Sequence, residues 1–404
     1  MTDILIIGGG ASGLAAAVFA ARSGASVLIA ERQARVGKKL LATGNGRCNI
    51  FNEAADWKRA YHGDLPLMEG AMNAFPPAEL TAFFASLGLA LVREEEGRVY
   101  PAGNQAAGVL DALRLAAEEA GAETVCEFHA SDIRRTKDGF AVTDDGGRTL
   151  RAKRVIFAVG SPAGKGMGSF DLRLAEKLGH HVTPLLPALT QVKAKNANLA
   201  FLKGQRVKGT ATLTEDGKTA ASETGEILFQ EYGLSGIAVM QLSGRAAEAV
   251  SRGKAASVVL TLAECDIRAR AGLLPGRKLE DFLTGILPKR VGQAVLKDSG
   301  IRDLTRAASS LTEAEIKAVE AALSAWRFDV TGVNGFESAQ VAHGGLDGRE
   351  FDPDTLESRK VNGFFAAGEA LNVDGDCGGH NLRWAWASGL LAARSALESI
   401  KNRG

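Results

Sequence analysis

The sequence predicts an α/β protein, and three observations predict it. Ile4-Leu5-Ile6-Ile7 is a short apolar run that leads into a glycine turn at residues 8–13. An alanine-rich stretch, Leu14 to Arg22, and a second apolar run, Val27-Leu28-Ile29-Ala30, follow at once. Similar runs recur far downstream at 155–159 and 363–368, each meeting a glycine. Runs of this kind suit strands buried on both faces, as in a parallel sheet covered by helices.

Each element has its own reason. Residues 14–22 are apolar nearly all round and read as a buried helix, and Gly24 ends it as glycine does past a helix C-terminus. In the cluster at 123–160, Phe140 and Val142 alternate with polar neighbours, and Asp145-Gly146 signals a hairpin. Residues 382–397 read as a closing helix. The texture changes between these parts. Residues 206–214 alternate, Asp216-Gly217 offers a turn, and 258–262 is a strand candidate. Residues 277–325 look helical; Thr312-Glu313-Ala314-Glu315 is a capping box, with Ile316, Val319 and Leu323 at helical spacing behind it. The expected organisation is a discontinuous domain, 1–187 and 335–404, interrupted by an inserted domain at 188–334.

Composition excludes several classes. The chain has 404 residues, 46% apolar, with 48 basic and 47 acidic side chains. That balance argues against a disordered chain, a nucleic-acid surface and a polybasic membrane surface. No apolar stretch reaches about 18 residues, so no spanning helix is expected. Cys48, Cys126, Cys265 and Cys377 form no C-x-x-C pair, and the start has no signal-peptide pattern, so the expected compartment is the cytoplasm. The 48 glycines cluster at a few turns, which points to backbone approaching a ligand.

The strongest motif is Gly8-Gly9-Gly10-Ala11-Ser12-Gly13, between a strand and a helix, with Glu31 ending the second strand. This is the Rossmann dinucleotide-binding fingerprint. Gly8 permits the tight turn, Gly10 the approach of a pyrophosphate, and Gly13 close packing of helix on strand. Ala11 and Ser12 open the helix, whose free N–H groups favour an anion. Glu31 suits ribose hydroxyls, and Arg32 follows it. A second cluster holds Gly37-Lys38-Lys39 and Thr43-Gly44-Asn45-Gly46-Arg47-Cys48-Asn49. Its cations could run along an extended dinucleotide, with Arg47 and Lys39 facing phosphate. Cys48 reads as a packed thiol more readily than a redox one.

A third cluster closes the chain: Gly368-Glu369, then Asp374-Gly375-Asp376-Cys377-Gly378-Gly379-His380-Asn381 and Leu382. Glu369 ends a strand, where α/β ligands bind, and the glycine pair would let backbone pass close to a flat ring. The helix beginning near Asn381 would stabilise negative charge on that ring, which favours FAD over NAD alone. His380 is a candidate proton donor or acceptor near physiological pH, or a cap. Gly164-Lys165-Gly166-Met167-Gly168 reads as a loop near the cofactor or substrate. Since no second fingerprint follows it, NADH or NADPH is at most a transient electron donor.

Together GGGASG with Glu31, TGNGRCN, EYGLSGIAVMQLS, AGEALNVDGD and GGHNLRWAWASG resemble the BaiN/YhiN-like family of bacterial flavoproteins. These are labelled NAD(P)/FAD-dependent oxidoreductases, of the glutathione-reductase-like superfamily. The resemblance covers nearly the whole chain. It implies a Rossmann-type FAD-binding domain interrupted by an inserted β-barrel-like plus helical domain, and redox chemistry on diverse small molecules, including reduction of conjugated enones and oxidation of an aminoketone. By position it also implies that Gly8, Gly10, Gly13 and Glu31 hold the ADP half. Lys39, Gly46, Arg47, Cys48 and Asn49 would lie along the FAD, and Ala130 would meet adenine through its backbone. Gly160 follows a strand end near the cofactor, Glu369 would bond the ribitol, and residues 378–382 would approach the isoalloxazine. The family commonly has Tyr at His380, ATGG at 158–161 and Thr-His-Tyr at 230–232.

The leading expectation is therefore an FAD-dependent oxidoreductase with a small-molecule substrate, no nucleic-acid partner and no membrane contact. An NAD-only dehydrogenase, which would be colourless, is one alternative. The other is a flavin-binding sensor or RNA-associated flavoprotein using Arg268, Arg270, Arg277, Lys278, Lys289 and Arg290. A steep salt dependence of RNA affinity would mark it.

Overall fold

The structure, a computed structural model, describes residues 1–167 and 172–402; Gly168, last of the Gly164 loop, lies outside them. The chain divides into two compact units, Met1–Leu185 with Val341–Gly404, and Leu186–Gln340.

In the first unit a parallel sheet runs in the order Glu123–Val125, Val27–Ala30, Thr2–Ile7, Thr149–Phe157, Phe364–Ala366. An antiparallel meander, Ala130–Arg135 and Phe140–Asp144, continues from the same long strand. That strand changes character along its length. Its first half, Thr-Leu-Arg-Ala, is half-exposed and pairs antiparallel with the meander; its second half, Val-Ile-Phe, is buried and pairs in parallel with Phe364–Ala366. One-sided burial produces the alternation, and two-sided burial the continuous apolar run. In the 144–147 hairpin turn the residue with positive φ is Gly147 (φ 85°) rather than Gly146.

Two helices pack on the sheet at close range. Ala11–Arg22 starts directly from the glycine turn, and His380–Lys401 lies against it. A Cβ on Gly389 would stand 2.3 Å from the Ser12 carbonyl oxygen, so only glycine lets these backbones meet. Wholly buried Ala15, Ala16, Ala17 and Ala20 serve the same close packing. Helix Ala106–Glu119 also packs on Ala11–Arg22.

The second unit holds a closed six-stranded antiparallel barrel: Val192–Lys195, Gly233–Ser235, Lys218–Gln230, Arg206–Glu215, Ala256–Thr261 and Trp326–Val333. The expected turn at Asp216-Gly217 joins its two longest strands. Four helices of seven residues or more accompany it, Ile237–Ser251, Ile267–Leu273, Lys289–Asp298 and Glu313–Ser324. The last starts from the capping box, with Thr312 and Glu315 bonding each other's backbone N–H, and it buries Ile316, Val319 and Leu323. The stretch at 277–325 is less helical than expected, because much of it is turns and single 3-10 turns. Among the described residues no helix is long and apolar enough to cross a membrane.

Candidate cofactor and active site

The parallel strands Thr2–Ile7, Val27–Ala30, Thr149–Phe157 and Phe364–Ala366 all end on one edge of the first unit's sheet, and the three sequence clusters gather there. Gly8 takes φ 107°, and a Cβ on it would lie 2.3 Å from the Ala158 carbonyl oxygen. A Cβ on Gly13 would lie 1.9 Å from the Gly8 carbonyl oxygen. Gly10 differs from both, since a Cβ there meets nothing within 4 Å. Two glycines are therefore required by packing, and the third faces open space. The first helical bond runs from Leu14 N–H to Gly10 O (2.9 Å), so the N–H groups of Ala11, Ser12 and Gly13 precede the ladder at a positive helix end.

Glu31 is 9% exposed and stitches this corner. One carboxylate oxygen accepts from Gly9 N–H at 2.7 Å, the other from Gln33 N–H at 2.8 Å. Each oxygen retains a lone pair for a hydroxyl. The Phe128 N–H bonds the Glu31 carbonyl (2.9 Å), which carries the start of the strand at Ala130 to the same corner. Arg32 donates to the Met167 carbonyl, with Gln33 on the same oxygen at 3.3 Å, and Lys38 reaches the Gly166 carbonyl at 2.5 Å. Burial pushes the Arg32 guanidinium down, against the opposing charge of Glu31.

The cations of the basic loop have partners within the protein. The Lys39 ammonium bonds Glu369 at 2.6 Å and Ser161 at 3.2 Å. Arg47 lies over the Tyr100 ring (4.1 Å) and bonds Glu94 and Asn104, both at 2.5 Å. Its charge is paired with a local carboxylate. Cys48 is fully buried, and burial pushes its thiol up to about 12, so it is inert as a nucleophile. Gly46 (φ 85°) and Gly160 (φ 76°) both face open space.

The C-terminal turn is held by side chains from far up the chain. Asn52 donates to the Gly378 carbonyl at 2.9 Å, and Tyr61 donates to the His380 carbonyl at 2.8 Å. Arg383 donates to Asn52 O, and the Trp386 indole to Ile50 O. Asn381 closes the turn on itself through the Gly375 N–H and carbonyl. Gly379 is needed because a Cβ would lie 2.6 Å from Asn49 Oδ1. Ser388 holds the Gly368 N–H at 2.9 Å, and half-buried Leu382 packs on the core. Asn52, Tyr61 and Arg383 were missed in the sequence, where each stands alone with no motif around it.

His380 begins the closing helix. It is 7% exposed, and burial lowers it to about 4, with Arg383 acting the same way and Asp376 and Asp56 opposing. Burial thus favours its neutral form. Its edge-on contact with Tyr61, 5.6 Å between centroids, makes it part of the packing.

The residues present fit a bound flavin dinucleotide. Glu369 Oε1, Asn49 Oδ1 and His380 Nδ1 are buried without a hydrogen-bond partner, a costly state that a ligand hydroxyl, amide or ring nitrogen would relieve. They lie at the two ends of the C-terminal cluster, while the open face of Gly10 lies at the other glycine turn. Elsewhere in this unit, Ser358, His180 and Glu350 have the spacing of a hydrolytic triad, at 3.0 and 2.9 Å. However, Ser358 Oγ also accepts the N–H groups of Lys360 and Val361, which saturates the oxygen. That trio is a structural tie.

Comparison with known proteins agrees with this architecture. The family model described as the HI0933-like protein Rossmann domain matches residues 2–395. A 3-dehydro-bile acid delta(4,6)-reductase of Clostridium scindens is 39% identical, across 98% of this chain and 100% of its own length. A ribosomal RNA dihydrouridine synthase of Escherichia coli is 28% identical, across 98% and 99%. In fold, the chain is similar to the solved 3-ketosteroid delta1-dehydrogenase of Sterolibacterium denitrificans, with a TM-score of 0.55 at 13% identity, across 98% and 99% of the two chains. The chain thus belongs to the HI0933-like Rossmann-domain family, as an oxidoreductase of flavoprotein type.

Proposed function

We propose that this protein is an FAD-dependent reductase of a carbon–carbon double bond conjugated to a carbonyl, acting on a small apolar molecule. The observation that carries the reading is the C-terminal turn: Glu369, Asn49 and His380 offer unpartnered buried polar atoms around a backbone made close-passing by Gly378 and Gly379. When bound, FAD supplies the hydride. The chain does the rest. The turn at 8–13 and the helix end behind it hold the pyrophosphate, Glu31 the adenosine ribose and Ala130 the adenine edge. Glu369, set by Lys39, holds the ribitol. Residues 378–382 bring N–H groups of a long helix to the pyrimidine edge, where negative charge develops on reduction.

Both kinds of relative support the bond type. A delta(4,6)-reductase and a dihydrouridine synthase are each named for saturating a double bond, and in uridine that bond is conjugated to a carbonyl. The small-molecule reading is favoured by higher identity to the former. The basic residues of the second unit favour it too: Arg268 is paired with Glu313, Lys289 with Asp281 at 2.7 Å, and Arg270 with the carbonyls of Phe282 and Thr284. The rRNA-acting relative carries the second reading, reduction of uridine in RNA.

The test is single-turnover reoxidation. Protein loaded with FAD is bleached anaerobically by dithionite, NADH or NADPH, then mixed with a steroid 4-en-3-one or with unmodified ribosomal RNA. Return of flavin colour with a product two mass units heavier is expected for the enone. Bleached flavin unmoved by the enone but reoxidised by RNA would replace this reading with the second. Protein that takes up no FAD would remove both.

A further inference from the structure

The first turn of the closing helix, His380–Lys401, carries a buried cation, Arg383, which is 1% exposed. Its Nη1 donates to the Asn52 carbonyl at 2.9 Å, and its guanidinium carbon lies 4.9 Å from the centre of the Trp57 ring. Its Nε is buried without a hydrogen-bond partner. Among the described residues no carboxylate forms an ion pair with it. The two acidic groups that act on it do not neutralise it. Glu53 is bonded by two nitrogens of Arg93, both at 2.9 Å, and burial pushes the Tyr61 hydroxyl up, which keeps it neutral. Asp144, sealed to a similar degree, shows the ordinary arrangement, with Arg148 at 2.5 Å.

A guanidinium does not escape burial by losing its proton. Burying one without a counter-ion is costly, and the face of an indole recovers only part of that cost. The uncompensated charge stands beside the C-terminal turn. Asn52, whose carbonyl takes Arg383, gives its own amide to the Gly378 carbonyl at 2.9 Å. The charge of Arg383 is felt at His380, one helical turn before it. Arg383 N–H makes the first helical bond, to Gly379 O at 3.0 Å, so the N–H groups of residues 380–382 precede the ladder. Asn49 Oδ1 and His380 Nδ1, buried and unpartnered, flank the same turn. The helix end thus presents a partial positive charge, and Arg383 adds a whole one behind it.

We propose that Arg383 is the fixed counter-charge of the reduced flavin, and that it sets how readily the bound cofactor accepts electrons. This rests on the FAD reading given above, with the pyrimidine edge at residues 378–382. On reduction the flavin ring takes up two electrons and one proton from the reductant and water. The proton goes to N5, and one negative charge is shared by N1 and the C2 oxygen. The cation that has no partner in the protein gains one at that moment, so the reduced cofactor is stabilised more than the oxidised one. Asn52 and Trp57 hold the guanidinium, which acts on the ring through its field.

The test needs no substrate. Sulfite is titrated into FAD-loaded protein: its sulfur lone pair forms a bond to N5 of the oxidised ring, the negative charge passes to N1 and the C2 oxygen, and the visible colour bleaches. Arg383→Gln is expected to raise the sulfite Kd about tenfold or more, as one unit charge does across about 10 Å at an effective dielectric of about 20. Arg383→Lys keeps the charge and should stay close to wild type. In a second titration, of protein reduced anaerobically by dithionite, N1 of the reduced ring should take its proton at higher pH in Arg383→Gln than in wild type, because the anion has lost an opposite charge. The FAD-to-protein ratio at saturating FAD should match wild type in both variants. Unmoved titrations in Arg383→Gln would overturn the proposal. So would an Arg383→Lys variant as impaired as Arg383→Gln, which would make geometry and not charge the cause, and so would loss of FAD from both variants, which would make Arg383 a support of the turn. A wild type that neither takes up sulfite nor keeps its reduced flavin anionic at neutral pH would overturn it as well. In each of these cases wild type still binds FAD and that reading stands; wild type that takes up no FAD sinks both.

Discussion

The two glycine turns of the first unit are built in opposite ways. The turn at 8–13 is enclosed by its immediate sheet neighbours. Gly8 abuts Ala158, Gly13 abuts Gly8, and Glu31 reaches across one strand to Gly9. The turn at 375–382 is enclosed by residues remote in sequence: Asn52 bonds a carbonyl 326 residues away, Asn49 and Tyr61 complete the clamp, and Arg383, next to the turn, ties Asn52 back to it. A turn that a strand and a helix specify between them carries its own signature. A turn specified by a clamp carries half of one, because the clamp's residues have ordinary neighbours in sequence.

The comparison can be broken at the glycines. Gly13→Val puts a branched side chain into a carbonyl oxygen 1.9 Å away, and the expected outcome is no soluble cooperative fold. Gly10→Val has room, since nothing lies within 4 Å. The FAD-free variant should unfold at a midpoint within a few degrees of wild type, yet its FAD affinity should fall at least about 100-fold, near 3 kcal/mol. Wild-type affinity in Gly10→Val would take the pyrophosphate away from this turn.

Acid distinguishes the clamped turn from the other. His380 stays neutral in the folded protein down to about 4, from an ordinary value of 6.5. The unfolded chain therefore binds the extra proton between those values, and stability rises with pH across that window. The contribution is complete above pH 6.5 and is lost as pH falls towards 4, reaching about 3 kcal/mol there. Urea unfolding of FAD-free protein at several pH values should show this slope, and His380→Gln should flatten it. An identical slope in the variant would mean that another group carries the acid sensitivity.

The smallest effects sharpen the contrast between Glu31 and Glu369. Losing either carboxylate should weaken FAD by about 1–3 kcal/mol in a fluorescence titration. Their apoprotein behaviour should differ. Glu31→Ala frees two backbone N–H groups and should lower the unfolding midpoint; Glu369→Ala removes one oxygen that has no partner and one that pairs with the partly exposed Lys39, and should lower it less. Equal midpoints in the two variants would show that Glu31 stabilises the corner no more than Glu369 does.

Sequence alone determined the parts whose physics is local. The turn at 8–13 needs a buried strand before it, a helix after it and glycine at two positions, 8 and 13, and all of these are written within a few residues. The same holds for the Thr312 capping box, for the barrel hairpin at Asp216-Gly217, and for Cys48 as an inert thiol. Tertiary structure decided the destinations of long side chains. Lys39 and Arg47 have cationic ends several bonds from the backbone, and their partners, Glu369 and Glu94, are chosen by which carboxylate the fold brings within reach. His380 lost its titration near neutrality because burial, a property of the whole core, removes water from the imidazole. His343 and Asp374 lie 31 residues apart and meet only where one strand passes another. Backbone conformation is set by near neighbours and leaves a pattern in sequence, whereas a side chain's electrostatic partner is set by topology.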